Sequence, residues 1–448
     1  MTAPCAPERE AAGAWHLRVW ALAGPIIVSN LSTPLLGAVD TAVVGHLPDP
    51  AYIGGVAVGA VVFNFLYWGF GFLRMGTTGF TAQAFGAGEA EELRASLARP
   101  LLLALALGAL LVVVQAPVGW TAFWLFEASD RVEGFARSYY AIRIWSAPAA
   151  LANYAMLGWL LGTRRAGAVL LLQVVLNGIN IVLDLVFVLG LGWGVEGVAL
   201  ASLLAEFGAM GLGLAIVARA LKSHGGAWDW ARIGSRGHLV VLLRANLDIF
   251  VRTLCLLGAF AYFTAQSAKM GDVLLAGNAI LLQLQNFTAY GLDGFAHAVE
   301  VLAGNALGAR SRKAFREAVR VSTLWALGTA SLVSGLYLVL GGSVVGLFTD
   351  LAAVRAAAET YLPWVVVAPV VSVWSFQLDG IFIGTTRTAE MRNAMLLSLF
   401  VYLGACWILV PTLGNHGLWL AFTVLMVARA ASLGLLYPRL ERLVASKG

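Results

Sequence analysis

Residues 24–46 read GPIIVSNLSTPLLGAVDTAVVGH, an apolar run interrupted by two prolines, Pro25 and Pro34, and one carboxylate, Asp40. Read as a helix, the run carries Ser29, Thr33 and Asp40 near one meridian, because offsets of 4, 7 and 11 return to the same face. An otherwise greasy span therefore has one polar stripe ending in an acid. Placing an aspartate inside a bilayer costs roughly 2.5–3.5 kcal/mol on insertion scales, so Asp40 is expected to face a cavity and to act there. The alternative is an acid that only packs helices near the interface. Each proline removes a backbone hydrogen bond, which makes Pro25 a candidate hinge.

The rest of the chain fits a membrane setting. Of 448 residues, 60% are hydrophobic and 12% charged, and the mean hydropathy is +0.82; soluble chains carry about a quarter charged residues. Met1–Ala14 is polar and mixed, so no cleavable leader is expected. Cys5, Cys255 and Cys406 are scattered, which excludes a disulfide framework and any zinc spacing. The net charge of +5 fits membrane orientation better than nucleic-acid binding. No soluble domain is visible.

Apolar runs near 20 residues or longer predict about twelve transmembrane helices, near 16–44, 54–84, 93–117, 131–160, 167–190, 196–219, 239–265, 276–306, 314–340, 354–383, 389–411 and 416–437. With the N-terminus inside, roughly 21 Lys and Arg fall on the cytoplasmic side, in loops such as Lys222–Arg236 and Arg310–Arg316. Arg131, Arg137, Lys269 and Arg355 fall outside. Both termini are thus expected in the cytoplasm. The chain also repeats itself: Asn64-Phe65, Gly69 and Gly86-Ala87 match Asn286-Phe287, Gly291 and Gly308-Ala309, at an offset of 222. The expected fold is an all-α membrane protein of two six-helix lobes, 1–220 and 239–448, joined by a basic cytoplasmic linker, 221–238. Parallel repeats of this kind mark transporters.

Depth along each helix locates the polar groups. On the fifth span Asn177, Asn180 and Asp184 share a face, and Asp184 lies about 10 Å below the outer end, near the depth of Asp40. Two acids at matched depth in one half predict a shared proton-coupling site, since like charges in a dry place favour keeping a proton between them. A structural Asn/Asp ladder is the alternative. Asn153 and Tyr139 are weaker additions to the site. In the second half Asp248, Arg252, Asp293, His297, Glu300, Asp379 and Arg429 all fall in the inner leaflet; a structural charge network is expected of them before a second ion site. Arg74, Arg143 and Glu206 are intramembrane charges with no assigned partner beyond a pairing of Glu206 with Arg74.

Several motifs resemble the multidrug and toxic compound extrusion (MATE) family, and its branch named for a DNA-damage-inducible bacterial member. They are VDTAVVGHL from Val39, LANYAMLGWLLG from Leu151, NGINIVLDLVFVLGLGWGVEGVALA from Asn177, NLDIFVRTLCL from Asn246, TAYGLDGFAHAVEVLAGNALGAR from Thr288, LDGIFIGTTRTAEMRN from Leu378 and LGNHGLWLA from Leu413. The resemblance covers nearly the whole chain. It implies an antiporter expelling amphipathic, often cationic, organic compounds against inward proton or sodium flow. It also maps the family's helix-1 acid on Asp40 and its helix-5 Asn and Asp on Asn180 and Asp184. The acids of the family's sodium-coupled branch fall on Cys255 and Ser372 here, so protons are the expected coupling ion and sodium the alternative.

A lipid-linked precursor flippase is a further alternative, but such a cavity needs several arginines, and the first half offers only Arg74 and Arg143. No enzyme is expected: the six histidines form no metal pattern and no nucleophile elbow occurs. The sequence thus predicts a multi-pass protein of the bacterial cytoplasmic (inner) membrane, working as a monomer without a cofactor. Asn177, Asn180, Asn153 and Tyr139 are its candidate substrate ligands.

Overall fold

The computed structural model describes residues 12–45, 50–125 and 129–446. Cys5 and His46 lie outside the described residues, as do the side chains of Thr33 and Pro34. Among the described residues every regular element is helical. The first half comprises α1 (Ala12–Gly45), α2 (Pro50–Gly69), α3 (Phe72–Ala87), α4 (Ala90–Val113), α5 (Gln115–Leu125), α6 (Asp130–Arg143), α7 (Ala147–Gly162), α8 (Ala166–Asp184) and α9 (Gly194–His224). A one-turn α10 (Trp230–Ile233) sits in the basic linker, capped by Asp229, whose Oδ1 accepts the Arg232 N–H at 3.0 Å. The second half holds α11 (Arg236–Lys269), α12 (Asp272–Gly308), α13 (Arg312–Phe348), α14 (Ala352–Gly384), α15 (Thr388–Leu413) and α16 (Asn415–Ser446).

The twelve expected spans are all present as helices, two of them divided. The second is α2 and α3, broken at Phe70–Gly71, and the fourth is α6 and α7, joined by a 3₁₀ turn at Ile144–Ser146. One boundary is corrected: the span expected at 93–117 stops at Val113, and α5 follows as a separate helix with exposed Trp120 and Trp124. Such tryptophans suit a membrane interface, where an aromatic ring meets both lipid and water. Eight stretches of the described chain are long and apolar enough to cross a bilayer by length and composition, from Ala51–Ala87 to Asn415–Val444. α1, α11 and α12, of 34, 34 and 37 residues, also have the length.

The repeat is visible in the backbone itself. α2 and α12 begin at 50 and 272, α4 and α13 at 90 and 312, α6 and α14 at 130 and 352, and α8 and α15 at 166 and 388, always 222 apart. Left-handed residues obey the same offset: Gly88 and Arg310, Arg164 and Thr386, Gly192 and Gly414. At two of these pairs an ordinary side chain accepts a conformation that favours glycine, so the loop geometry is retained where the residue type is not. Close packing repeats as well. A Cβ on Gly158 would collide with the Arg74 carbonyl, and one on Gly380 would collide with the Ala296 carbonyl, again 222 residues on.

By packing, the chain forms two compact units. One comprises Met1–Ile27, Cys255–Thr385 and Asn393–Gly448; the other comprises Val28–Leu254 and Thr386–Arg392. α1 therefore changes unit between Ile27 and Val28, just after Pro25, and α11 changes between Leu254 and Cys255. In the first of these units α12 and α14 meet through the glycines at 380 and 384. In the second, Gly158 and Gly162 let α7 lie against the α3 backbone. Glycine at such crossings brings two backbones together where lipid provides no hydrophobic drive for association.

Candidate functional site: a buried polar cluster on α1, α6, α8 and α9

α8 is apolar except for one stripe. Gln173, Asn177, Asn180 and Asp184 recur at helical spacing on a single face. Gln173 Nε2 donates to Asn177 Oδ1 at 3.2 Å, and Asn177 Nδ2 donates to Ser32 Oγ of α1 at 2.9 Å. Ser32 in turn donates to the Ser29 carbonyl at 2.6 Å. One turn further on, the Asn180 amide is satisfied at both ends when its nitrogen faces Asp184 Oδ2, at 3.1 Å. Its oxygen then accepts from Ser202 Oγ and the Ser202 N–H, both at 3.2 Å. Asp184 is fully buried, and directly after it the helix widens into a π segment, Leu185–Gly190. The Leu191 N–H reaches the Val186 carbonyl five residues back, at 2.9 Å. π bulges concentrate at functional sites because they re-aim one turn of a helix.

Asp40 of α1 and Asp184 face each other as direct side-chain neighbours. The charge of Arg143 acts on both carboxyl groups. Arg143, the last residue of α6, donates through Nη1 to the Tyr139 hydroxyl one turn earlier. Its guanidinium stands 5.1 Å from the Phe63 ring centre and 5.4 Å from that of Tyr139. Aromatic faces hold a cation in dry surroundings where water does not solvate it. A second branch runs through α7 and α9: Asn153 Nδ2 donates to Glu206 Oε2 at 2.8 Å and to the Glu206 carbonyl at 3.0 Å. The charge of Arg143 also acts on Glu206. The charge of one guanidinium thus acts on three acids, and its attraction for each strengthens as the surroundings become drier.

Five of the six residues proposed from the sequence, Asp40, Asp184, Asn180, Asn177 and Tyr139, meet in this cluster, and Asn153 joins its second branch. Tyr139 is fully buried against Arg143. Pro25 lies within α1, whose helical assignment runs unbroken through it. Arg143, Glu206, Ser202 and Ser32 complete the cluster, and the sequence reading did not place them there. The available signal was the i, i+4 spacing of Tyr139 with Arg143 and of Ser202 with Glu206, which puts each pair on one helix face.

The second-half charges are distributed differently from the single network expected. Asp248 belongs to the unit built around residues 28–254. It accepts from Arg392 Nη1 at 2.5 Å and from Thr388 Oγ1 at 3.0 Å. The reason is local: Thr388 and Arg392 are one turn apart at the start of α15 and present a hydroxyl and a guanidinium to the same carboxylate. Asp379 pairs with Arg429, and Glu300 Oε2 meets His297 Nδ1 at 2.9 Å, both in the other unit. Arg252 is buried, and Asp293 shares the α12 face of His297 and Glu300.

The repeat offset carries Asp40 onto Tyr262, Asn180 onto Tyr402 and Asp184 onto Cys406. The rings of Tyr262 and Tyr402 meet edge-on with centroids 6.0 Å apart, and the Tyr402 hydroxyl contacts Cys406. Where the first repeat has two acids and an amide, the second has aromatic packing and a thiol.

The MatE family profile matches residues 25–186 and 249–408, one match in each repeat. DNA damage-inducible protein F of Escherichia coli (strain K12) is 44% identical over 421 residues, covering 94% of this chain and 92% of that protein. A probable multidrug resistance protein NorM of Xanthomonas campestris is 27% identical over 94% of this chain and 93% of its own length. Among solved structures, a multidrug resistance MATE family transporter in its outward-facing conformation aligns with TM-score 0.86 at 21% identity, over 97% of this chain and 99% of its own. A MATE structure in the bent conformation aligns equally well, at 22% identity over 97% of each chain.

Proposed function

This chain belongs to the multidrug and toxic compound extrusion family of membrane transporters, and from that premise we propose that it exports amphipathic organic compounds in exchange for inward-moving protons. The observation that carries the proposal is the meeting of Asp40 and Asp184 in a buried cluster anchored by Asn180. The two carboxyl groups work as a pair, whose proton affinity belongs to the couple rather than to either residue. Arg143 supplies the fixed positive charge against which the pair gains and loses its proton. Protonation removes charge from Asp40 and lowers the cost of moving it into a drier place. α1 then bends near Pro25 and closes over the first-half cavity, expelling substrate. The unit change of α1 just past Pro25 supports the hinge position.

Each charge moving down about 100 mV releases roughly 2.3 kcal/mol, slightly under two decades of substrate gradient at about 1.4 kcal/mol per decade. One or two protons per cycle are enough for a neutral or weakly charged compound. The same reading puts both termini in the cytoplasm, on the distribution of Lys and Arg, and has the protein work as a monomer in the bacterial cytoplasmic membrane. The test is transport in proteoliposomes under an imposed pH gradient without sodium. Robust substrate movement that collapses with a protonophore is expected. Movement seen only with a sodium gradient assigns the ion wrongly while leaving the site in place.

A further inference from the structure

A cleft of about 820 Å³ lies between α13, α14 and α16, entirely within the unit that holds residues 255–385. Val370, Trp374, Val427 and Ala431 give it an apolar wall. Four polar side chains interrupt that wall: Arg320, Thr323, Gln377 and Tyr437. Gln377 is 2% exposed, and neither its amide oxygen nor its amide nitrogen has a hydrogen-bond partner among the described residues. A buried amide in hydrocarbon is costly unless something else satisfies it, so a ligand with polar atoms at this level would remove a standing penalty.

Arg320, Gln377 and Tyr437 lie at one depth. Arg320 is eight residues in from the start of α13, Gln377 seven from the end of α14 and Tyr437 nine from the end of α16. At 1.5 Å per residue all three sit about 10–14 Å in from the same ends of their helices. The Arg320 side chain is 71% exposed and lies 3.7 Å from the Glu317 carboxylate, and its length lets the guanidinium reach back toward the interface. From this level the cleft continues to Val370 and Val427, about 10–15 Å deeper. With the guanidinium reaching outward from a backbone level with Gln377, the cleft presents a cation toward the interface, a buried amide beneath it and an apolar wall deeper still. A phospholipid standing in a leaflet presents anionic headgroup, ester carbonyls and acyl chain in that same order.

We propose that this cleft is a binding site for an anionic phospholipid, with the phosphate at Arg320, a linkage oxygen at the Gln377 amide nitrogen and an acyl chain against Val370 and Val427. Basic pockets between membrane helices commonly take such headgroups. The leaflet is the one that bathes the Arg312–Arg320 end, cytoplasmic if the orientation proposed above holds; binding itself requires neither that orientation nor proton coupling.

The full chain, purified in detergent, is titrated with dioleoylphosphatidylglycerol, dioleoylphosphatidylcholine or glycerol 3-phosphate while its melting midpoint and its bound lipid, by native mass spectrometry, are followed. The expected result is one retained phosphatidylglycerol and a raised midpoint, a weaker effect of phosphatidylcholine, and none of glycerol 3-phosphate. Arg320→Gln should erase the preference for phosphatidylglycerol over phosphatidylcholine. Gln377→Leu should weaken retention of both lipids while leaving the lipid-free midpoint unchanged or higher. Ala431→Phe, which fills the apolar part, covers the case in which Gln377→Leu folds poorly, and should also abolish retention. Equal protection by the two lipids in all variants overturns the proposal. So does protection by glycerol 3-phosphate alone, or tighter retention of an organic cation than of phosphatidylglycerol at this cleft.

Discussion

Asn180 and Asp184 stand one helical turn apart on α8, and the amide nitrogen of the first donates to Oδ2 of the second across 3.1 Å. The bond fixes one carboxylate oxygen of the acid that neighbours Asp40. Asn180→Leu removes that donor together with the acceptor for Ser202, and leaves the buried polar atoms around it unsatisfied at about 1–3 kcal/mol each. Substrate transport should fall steeply, and the melting midpoint in detergent should fall with it. Transport at the parental rate would mean that Asn180 only packs.

Asp40→Asn and Asp184→Asn keep size and remove titration. Both variants should insert and melt close to the parent, because an amide replaces a buried acid and lowers the cost of burial. Asp40→Asn should reduce proton-driven efflux to background, and Asp184→Asn should be impaired as well. A well-expressed Asp40→Asn protein that still confers resistance close to the parent removes Asp40 from the coupling step.

The hinge is separable from the acids. Pro25→Ala restores a backbone donor in α1 and gains about 3 kcal/mol of helix propensity at that position. Binding of substrate should survive while turnover drops, since binding does not require α1 to bend. Spin labels on either side of residue 25 should show two distances across low and high pH in the parent and one in Pro25→Ala. A single distance in the parent at both pH values would count heavily against bending.

Much of this arrangement is legible in the sequence because it is local. The α8 stripe is read from spacing alone, and the repeat from the recurrence of Asn-Phe, Gly and Gly-Ala at one offset. Arg143 was visible as a charge without a partner and Glu206 only as a pairing with Arg74, because the Phe63 ring and the Asn153 amide that meet them lie on other helices. The same limit hid the pairing of Asp248 with Arg392, 144 residues away. The separate α5 escaped because an apolar run carries no mark of where lipid ends and interface begins.

Asp248 tests that pairing. Arg392→Ala leaves the carboxylate with only the Thr388 hydroxyl, and hydrogen bonds to charged groups are worth about 1.5–3 kcal/mol. Partial exposure of Arg392 places the expected loss at the low end of that range. Asp248→Asn, which keeps an acceptor for Thr388, should lose less. Midpoints of both variants equal to the parent's would show that the ion pair contributes nothing measurable.

The difference between the repeats gives the last prediction. Tyr139 and Tyr361 are equivalent by the 222 offset, as are Asn180 and Tyr402, yet among the described residues it is the first repeat that places a tyrosine hydroxyl on a guanidinium whose charge acts on two acids. Tyr139→Phe keeps the ring under Arg143 but removes the oxygen that accepts its hydrogen bond. The guanidinium then loses its fixed position relative to Asp40 and Asp184. Transport should fall much more than stability, since the buried ring volume is retained and the cost is confined to one buried donor left without its acceptor, about 1–3 kcal/mol. Tyr402→Phe deletes a hydroxyl that reaches the Ala259 carbonyl at 3.4 Å and touches Cys406. That change should cost at most about 1 kcal/mol of stability and leave transport near the parental rate. Measuring initial rates for both variants in the same proteoliposome preparation decides the matter: if Tyr402→Phe is the more damaging, the second repeat takes part in coupling and the assignment to the first repeat alone is wrong.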